Sequence, residues 1–425
     1  MRDRIATINL SALRPADWGW LRALAERGVR RRLRGLERGG IAITGADGPE
    51  FCGAASGLRA AVTVHCPLFW TDVAIGGTLG AAESYILGRW SADDLTELCR
   101  IFARNLPLTD TMERGWAGSA SQAARVLHAL RRNTRRGALA NIEAHYDLGN
   151  DFFRFVLDET MSYSCAVFAS PGDSLASASR RKIDMACRKL DLVPSDHLLE
   201  IGTGWGAFAI HAARRYGCRV TTTTVSKEQF HLAKERVLQA GLADRVAVIL
   251  RDYRELSGRY DKIVSIEMIE AVGHEYLEEY FGRCSRLLAD EGLMLLQAIL
   301  MAEHRYESYR RSADFIQRYV FPGSCLLSIA AIGRAVAAAT DMRMIHLEDL
   351  TPHYPETLRR WRANFRAARA SIRALGYSEE FARLWEFYLA YCEAGFEERL
   401  IGDVQLLLAK PGNRSAPISA EAGVP

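Results

Sequence analysis

The run Leu198-Leu-Glu-Ile-Gly-Thr-Gly-Trp-Gly-Ala-Phe-Ala209 constrains this chain more than any other. Apolar residues lead through Glu200 to Ile201, glycines stand at 202, 204 and 206, and an amphipathic segment starts at Ala207. That order spells strand, tight turn and helix, because glycine enters positive-φ conformations at little steric cost. Such a turn lets backbone N–H groups approach a ligand at a helix N-terminus. Glycine loops of this kind serve several nucleotide-binding folds, and a ligand-free strand-to-helix turn is the plain alternative.

The residues beyond the loop narrow the choice. From Ile183 onward strand and helix alternate, as in a doubly wound α/β domain. Strands are predicted over 198–201, 219–225, 246–250, 260–266, 292–299 and 402–409, with helices over 207–216, 227–239 and 276–288. Ligands of such sheets sit beyond the carboxyl ends of the strands. Those ends are 202–206, Val225 with Ser226, Asp252 with Tyr253, 267–273 and 297–299, and they define one candidate site. Glu200 just before the glycines favours S-adenosylmethionine, whose sulfonium and amino group are cationic, over a pyrophosphate. Dinucleotide folds place an acid about 20 residues past the glycines. Here the second strand ends Thr221-Thr-Thr-Thr-Val-Ser226 with no acid before Glu228, which leaves the neutral Gln229 to serve a ribose.

Length and composition set the bounds. A chain of 425 residues has room for two domains, and 49% apolar with 25% charged residues is ordinary for a globular protein. No stretch reaches the ~20 apolar residues of a membrane span. The opening Met-Arg-Asp-Arg-Ile-Ala-Thr lacks the apolar centre of a signal peptide, and nine cysteines without Cys-x-x-Cys argue against a disulfide framework or a zinc site. A cytoplasmic protein is expected. The net charge of +4 is unevenly placed: arginines crowd 22–38, and a second group holds Arg125, Arg131, Arg132, Arg135 and Arg136. Either group could attract phosphates of nucleic acid or anionic lipid, or form a solvated helix face.

Ahead of the α/β part, 18–38 is predicted as a basic amphipathic helix that could lie on a membrane surface. Residues 40–73 suggest a small antiparallel sheet, 76–90 a loop that becomes a helix, and Ser91-Ala-Asp-Asp94 a helix cap. Residues 119–140 read as a helical, basic connector. After Met301 the chain turns helical and aromatic for about a hundred residues, more than a connection needs, and so suits an apolar cap over the site. The expected organisation is a small α+β domain over 1–118, the linker 119–140, an α/β domain over 141–410 with a helical cap near 301–400, and a disordered tail over 411–425.

Further motifs share one order: Ala144-His-Tyr-Asp-Leu-Gly-Asn-Asp-Phe-Phe153, Met161-Ser-Tyr-Ser-Cys-Ala166, the glycine loop, Val225-Ser-Lys-Glu-Gln229, Arg251-Asp-Tyr-Arg254, Glu270-Ala-Val-Gly273 and Tyr319-Val-Phe-Pro322. The series resembles the cyclopropane-fatty-acyl-phospholipid synthase family of S-adenosylmethionine-dependent methyltransferases, strongly over 141–410 and more faintly over 76–90, which resembles its small lipid-binding domain. The resemblance implies a Rossmann-like class I methyltransferase sheet. It implies transfer of a methyl carbon to the cis double bond of an unsaturated phospholipid acyl chain, giving a cyclopropane. By the same resemblance Tyr163, Ser164, Glu200, Gly202, Gly204, Gly206, Val225, Gln229, Asp252, Tyr253 and Ile266 would surround the donor. A bound bicarbonate would act as base, held by Cys165, Glu270, Gln297, the Ile299 backbone and Tyr354, with Cys392 near the active site.

Two positions depart from the ring-forming pattern. Gln297 stands where His is usual, and Ala271 where the motif Glu-His-x-Gly has its His. Glutamine can donate a hydrogen bond but cannot titrate. Both changes resemble a branch whose members methylate oleoyl chains to methylene or methyl-branched products. The resemblance further implies membrane phospholipid as partner, reached peripherally at the inner face through the basic clusters, and no nucleic acid. It leaves room for a homodimer and for a reductase that completes a methyl branch. A methyltransferase for another small molecule or a nucleic acid, and a catalytically dead lipid-binding protein, are the competing classes.

Overall fold

The computed structural model describes residues 19–46, 48–109, 148–312 and 314–414. The expectations for the linker, the second arginine group, the start of the 144–153 motif and most of the tail lie outside the described residues. The described chain separates into two compact units. One gathers the residues before 131 with Arg311–Pro322 and Trp361–Leu400; the other holds the rest, including Gly323–Arg360 and the terminal strand. Much of the stretch expected as a cap thus packs with the N-terminal residues.

In the first unit, strands β1 (Gly40–Gly45), β2 (Gly48–Gly53), β3 (Arg59–Val64) and β4 (Trp90–Ala92) form a sheet in the order β2-β1-β3-β4. It is mixed rather than antiparallel, because β1 and β3 run parallel. The β1–β2 hairpin returns the chain to Gly40, opposite Gly53, and 54–58 then step around that end to the free edge of β1. The predicted loop at Gly76 is instead inside the helix Leu68–Ile86, which breaks at Gly77 with φ 58° and ψ −137°. Asp94 caps Leu95–Arg104 as expected, its Oδ1 accepting from Glu97 N at 3.0 Å. The basic helix spans Gly19–Leu33, and Arg30 pairs with Glu26 and Glu50 while lying over the Trp70 ring.

The second unit is built on a seven-stranded sheet. Its strands are β5 (His197–Ile201), β6 (Arg219–Thr224), β7 (Val246–Leu250), β8 (Tyr260–Ile266), β9 (Leu288–Met301), β10 (Arg343–Asp349) and β11 (Ile401–Ala409), in the order β10-β11-β9-β8-β5-β6-β7. Strands β5 to β9 pair parallel, while β11 is antiparallel to both β9 and β10. Side chains alternate across this sheet with period two. Leu199, Ile263, Leu296 and Leu406 enter one core with Tyr280, Phe281 and Ile332. Their neighbours Leu198, Val264, Leu295 and Leu407 enter the opposite core with Ile183 and Phe208. Near-continuous apolar runs therefore mark the central strands, which are covered on both faces. Strand β10 was not legible in a stretch expected to be helical, because on this edge strand Met344, Ile345 and Leu347 remain exposed and blur the apolar alternation.

Candidate active site

The carboxyl ends of β5, β6 and β8 open onto a cavity of about 200 Å³. As β5 ends, Gly202 takes φ +102°, and a Cβ there would stand 3.2 Å from the Met268 side chain. Gly204 follows with φ +51°, so the turn is confined to conformations that glycine tolerates best. Both glycines line the cavity, with Tyr163, Ser164 and Glu200. Val225, Gln229, Asp252, Tyr253 and Ile266 line it as well. Gly206 does not: it precedes the helix Ala207–Tyr216, and a Cβ there would meet Ala233 at 3.4 Å, so its place is in helix packing.

Several contacts hold these walls. The Phe153 ring lies 5.3 Å from Tyr163 and 4.9 Å from Trp205, whose Nε1 donates to Asn150 Oδ1 at 2.7 Å. Thr224 Oγ1 donates to Gln229 Oε1 at 2.8 Å. Asp252 Oδ2 accepts from Arg254 Nη2 at 2.6 Å, and that guanidinium sits 5.6 Å from the Tyr253 ring centroid. Thr222 Oγ1 lies 2.6 Å from Glu200 Oε2, and burial pushes the Glu200 carboxyl up to about 8. The buried Lys182 donates to Ser164 Oγ at 2.7 Å, and its charge acts on Glu200 and on the acids behind the cavity. Burial lowers its ammonium.

Immediately behind this wall lies a cluster assembled from distant parts of the chain. Glu267, at the end of β8, has a left-handed backbone (φ 47°) and lines the cavity. Its Oε1 accepts from Cys165 N and from Gln297 Nε2, both at 2.8 Å, and its Oε2 accepts from Tyr354 Oη at 2.7 Å. Gln297 also donates to Asp403 Oδ2 at 3.0 Å. Glu270 Oε1 accepts from Ile299 N at 2.6 Å, while Glu270 Oε2 and Asp403 Oδ1 are buried with no hydrogen-bond partner. Cys165, Glu270, Gln297, Ile299 and Tyr354 are thus brought together as expected, although none of them lines the cavity. Cys392 is not among them. It belongs to the helix Glu379–Glu397 of the first unit, where its electrostatic neighbours are Asp314 and Cys99.

Hydrogen-bond chemistry fixes the orientation of the central amide. Lys189 carries only donors, so Gln405 turns its Oε1 to Lys189 Nζ at 2.6 Å. Gln405 Nε2 then donates to Gln297 Oε1 at 3.1 Å, which leaves the Gln297 NH₂ for the two carboxyls. Gln297 and Gln405 are directly paired across β9 and β11, as are Ile299 and Asp403.

Proton positions follow from the donors. Glu267 receives three hydrogen bonds and can stay ionised, although burial raises its pKa. Burial, with the charge of Glu267, pushes Glu270 up to about 8; burial, with Glu267 and Glu270, holds Asp403 well above the usual range. Burial beside these acids also raises the Cys165 thiol and so disfavours its thiolate.

The N–H, NH₂ and OH groups expected to hold bicarbonate are therefore already engaged. Cys165, Gln297 and Tyr354 serve Glu267, and Ile299 serves Glu270. A further anion among three buried carboxyls does not fit the residues present. Asp403, Gln405 and Lys182 were missed in the sequence, and Glu267, inside the strand end 267–273 expected at the site, was given no role there. Polar residues at 403 and 405 inside the otherwise apolar terminal strand were the signal that could have found two of them.

Known proteins resemble this chain in sequence and in fold. The family profile described as "Mycolic acid cyclopropane synthetase" matches residues 133–406. The chain is 38% identical over 410 residues to tuberculostearic acid methyltransferase UfaA1 of Mycobacterium tuberculosis, covering 92% of each chain. It is 35% identical over 373 residues to the cyclopropane-fatty-acyl-phospholipid synthase of Escherichia coli, covering 87% of this chain and 90% of that one. Among solved structures, mycolic acid cyclopropane synthase CmaA1, complexed with SAH and CTAB, matches with a TM-score of 0.61 and 34% identity, over 64% of this chain and 98% of its own. With its class I sheet, glycine turn and strand-end cavity, the chain belongs to the mycolic acid cyclopropane synthetase family and is an S-adenosylmethionine-dependent methyltransferase.

Proposed function

We propose that the protein transfers the methyl carbon of S-adenosylmethionine to the cis double bond of an unsaturated phospholipid acyl chain. The observation that carries this reading is the buried carboxyl cluster reaching the donor cavity through Glu267. Addition of a sulfonium methyl to an alkene leaves a carbocation, which needs negative charge and dry surroundings, and then a base. A methyltransferase acting on a nitrogen or oxygen nucleophile has no need of one acid facing its donor and two more buried behind it.

Two products are open to that cation. Direct loss of a proton from the new methyl group closes a cyclopropane. A hydride shift onto the neighbouring carbon, followed by proton loss, gives a methylene branch. Similarity to tuberculostearic acid methyltransferase along 92% of both chains, together with Gln297 in place of His, favours the branched product. A separate reductase would then complete a methyl branch. No described helix is long and apolar enough to cross a membrane. Access to acyl chains would be peripheral, from the inner face, with the exposed Arg22, Arg27 and Arg31 of Gly19–Leu33 available to anionic headgroups.

The test is transfer of label from S-adenosylmethionine to vesicles of mono-unsaturated phospholipid, followed by mass spectrometry and proton NMR of the released fatty acids. One labelled carbon with methylene protons is expected. Cyclopropane protons would select the ring instead, and an unlabelled lipid would overturn the reading.

A further inference from the structure

We propose that Glu267 is the built-in base of this enzyme and fills the place expected for a bound anion. The inference rests on the functional reading above and names the group that takes the proton. Three donors from separate elements converge on this one carboxylate: Cys165 N and Gln297 Nε2 at 2.8 Å, and Tyr354 Oη at 2.7 Å. They are donors expected to hold a bicarbonate. Within the cluster, Glu267 alone faces the donor cavity, whereas Glu270 and Asp403 stand behind it. Glu270 is also the poorer base by geometry, since one of its oxygens is committed to Ile299 N and the other is buried without a partner.

The backbone supports the same assignment. Glu267 is held at φ 47°, in the left-handed region where a non-glycine residue is strained. Its N–H donates to Gln297 O at 2.9 Å, so the kink is tied to the strand that carries the donor amide. The kink ends β8 and directs the carboxylate between the cavity and the three donors.

The step balances without an outside base. The alkene π pair forms the new C–CH₃ bond, and the S–CH₃ pair departs with sulfur as neutral thioether. A hydride shift moves the cation to the methylated carbon. Glu267 then removes a methyl proton, and the C–H pair becomes the methylene double bond. In the ring-forming variant the same proton is lost and its pair closes the third C–C bond. Glu267 carries the proton until the product leaves and water receives it.

The experiment uses the full chain in carbonate-free buffer and in added bicarbonate, with Glu267→Gly and Glu267→Gln beside the wild type. Position 267 accepts glycine readily at its φ, and a cooperative thermal transition like that of the wild type verifies that each variant is folded. Wild-type turnover should be the same in both buffers. Glu267→Gly should lose about 10²–10⁴-fold in the absence of bicarbonate and regain much of it when bicarbonate or formate enters the vacated space. Glu267→Gln should lose as much and show no rescue, because its side chain still fills the site.

Binding of ¹³C-bicarbonate, followed by NMR, gives a readout independent of turnover, with binding expected for Glu267→Gly and none for the wild type. Wild-type binding of bicarbonate, wild-type activity that collapses without it, or full activity of Glu267→Gly in its absence would each overturn the assignment. Should no label reach lipid from the wild type, the functional reading fails, and the NMR titration still decides whether Glu267 occupies the anion site.

Discussion

The donor cavity and the carboxyl cluster behind it adjoin in the same sheet and are made by opposite means. The cavity is built largely at strand ends around a glycine turn, so each of these parts is short and local. The cluster is built from side chains of residues as far apart as Cys165 and Asp403, brought together by the pairing of β8, β9 and β11. A turn set by local backbone tolerates side-chain change where φ permits. A buried cluster of acids does not, because each unpaired polar group in a dry interior costs about 1–3 kcal/mol.

The sharpest way to break the comparison is to change the two glutamates of the cluster separately. Glu267→Gln should reduce turnover at saturating donor by about 10²–10⁴-fold. Glu270→Gln should cost less than about tenfold, since its carboxyl, pushed up to about 8, is already mostly protonated at neutral pH and an amide keeps the acceptor for Ile299 N. Initial rates and calorimetric donor binding on the same preparations separate the two, and equal losses would remove the distinction between facing the cavity and lying behind it.

On the cavity side, Gly202→Val should weaken donor binding by roughly ten- to hundredfold, through backbone strain of about 1–3 kcal/mol at φ +102° and the approach to Met268. The thermal transition of the apo protein, measured in parallel, tells local distortion from unfolding. Gln297→Leu strikes the cluster instead. It leaves Asp403 and Gln405 without a partner they now have, and should lower unfolding stability by about 1–3 kcal/mol in urea titrations.

Donor affinity should also depend on pH through Glu200. Its carboxyl, at about 8 in the free protein, is mostly protonated at pH 7, and a cationic ligand favours the ionised form. Affinity therefore rises as pH approaches 8 and levels off above it, falling by at most about tenfold per unit well below. Calorimetry in buffers of different ionisation enthalpy should register proton release on binding at pH 7. A flat profile would mean that Glu200 keeps its proton beside the donor. The smallest effect belongs to Cys165→Ala, which retains the backbone N–H that Glu267 uses and should change turnover by less than about threefold.

Much of this was legible in the chain alone. Runs of apolar or β-branched residues ending at glycines or polar residues placed the strands β5 to β9 and β11, since the inner strands of a sheet covered on both faces carry few charged side chains. The glycine turn and its strand-end partners placed the cavity, because a left-handed turn restricts residue choice at the position itself. Local constraints of this kind are written in local sequence.

The edge strand β10, the parallel β1–β3 pair and the hydrogen-bonded hub at Glu267 were decided only in the folded chain. Glu267 and Glu270 stand three residues apart with the same side chain, and nothing local distinguishes them. One faces the cavity with three donors, and the other lies behind it with an orphaned oxygen, because β9, β11 and the turn before Tyr354 arrive from far along the chain. Burial and donor supply, which set the charge of a carboxyl, are properties of that assembly rather than of the residue.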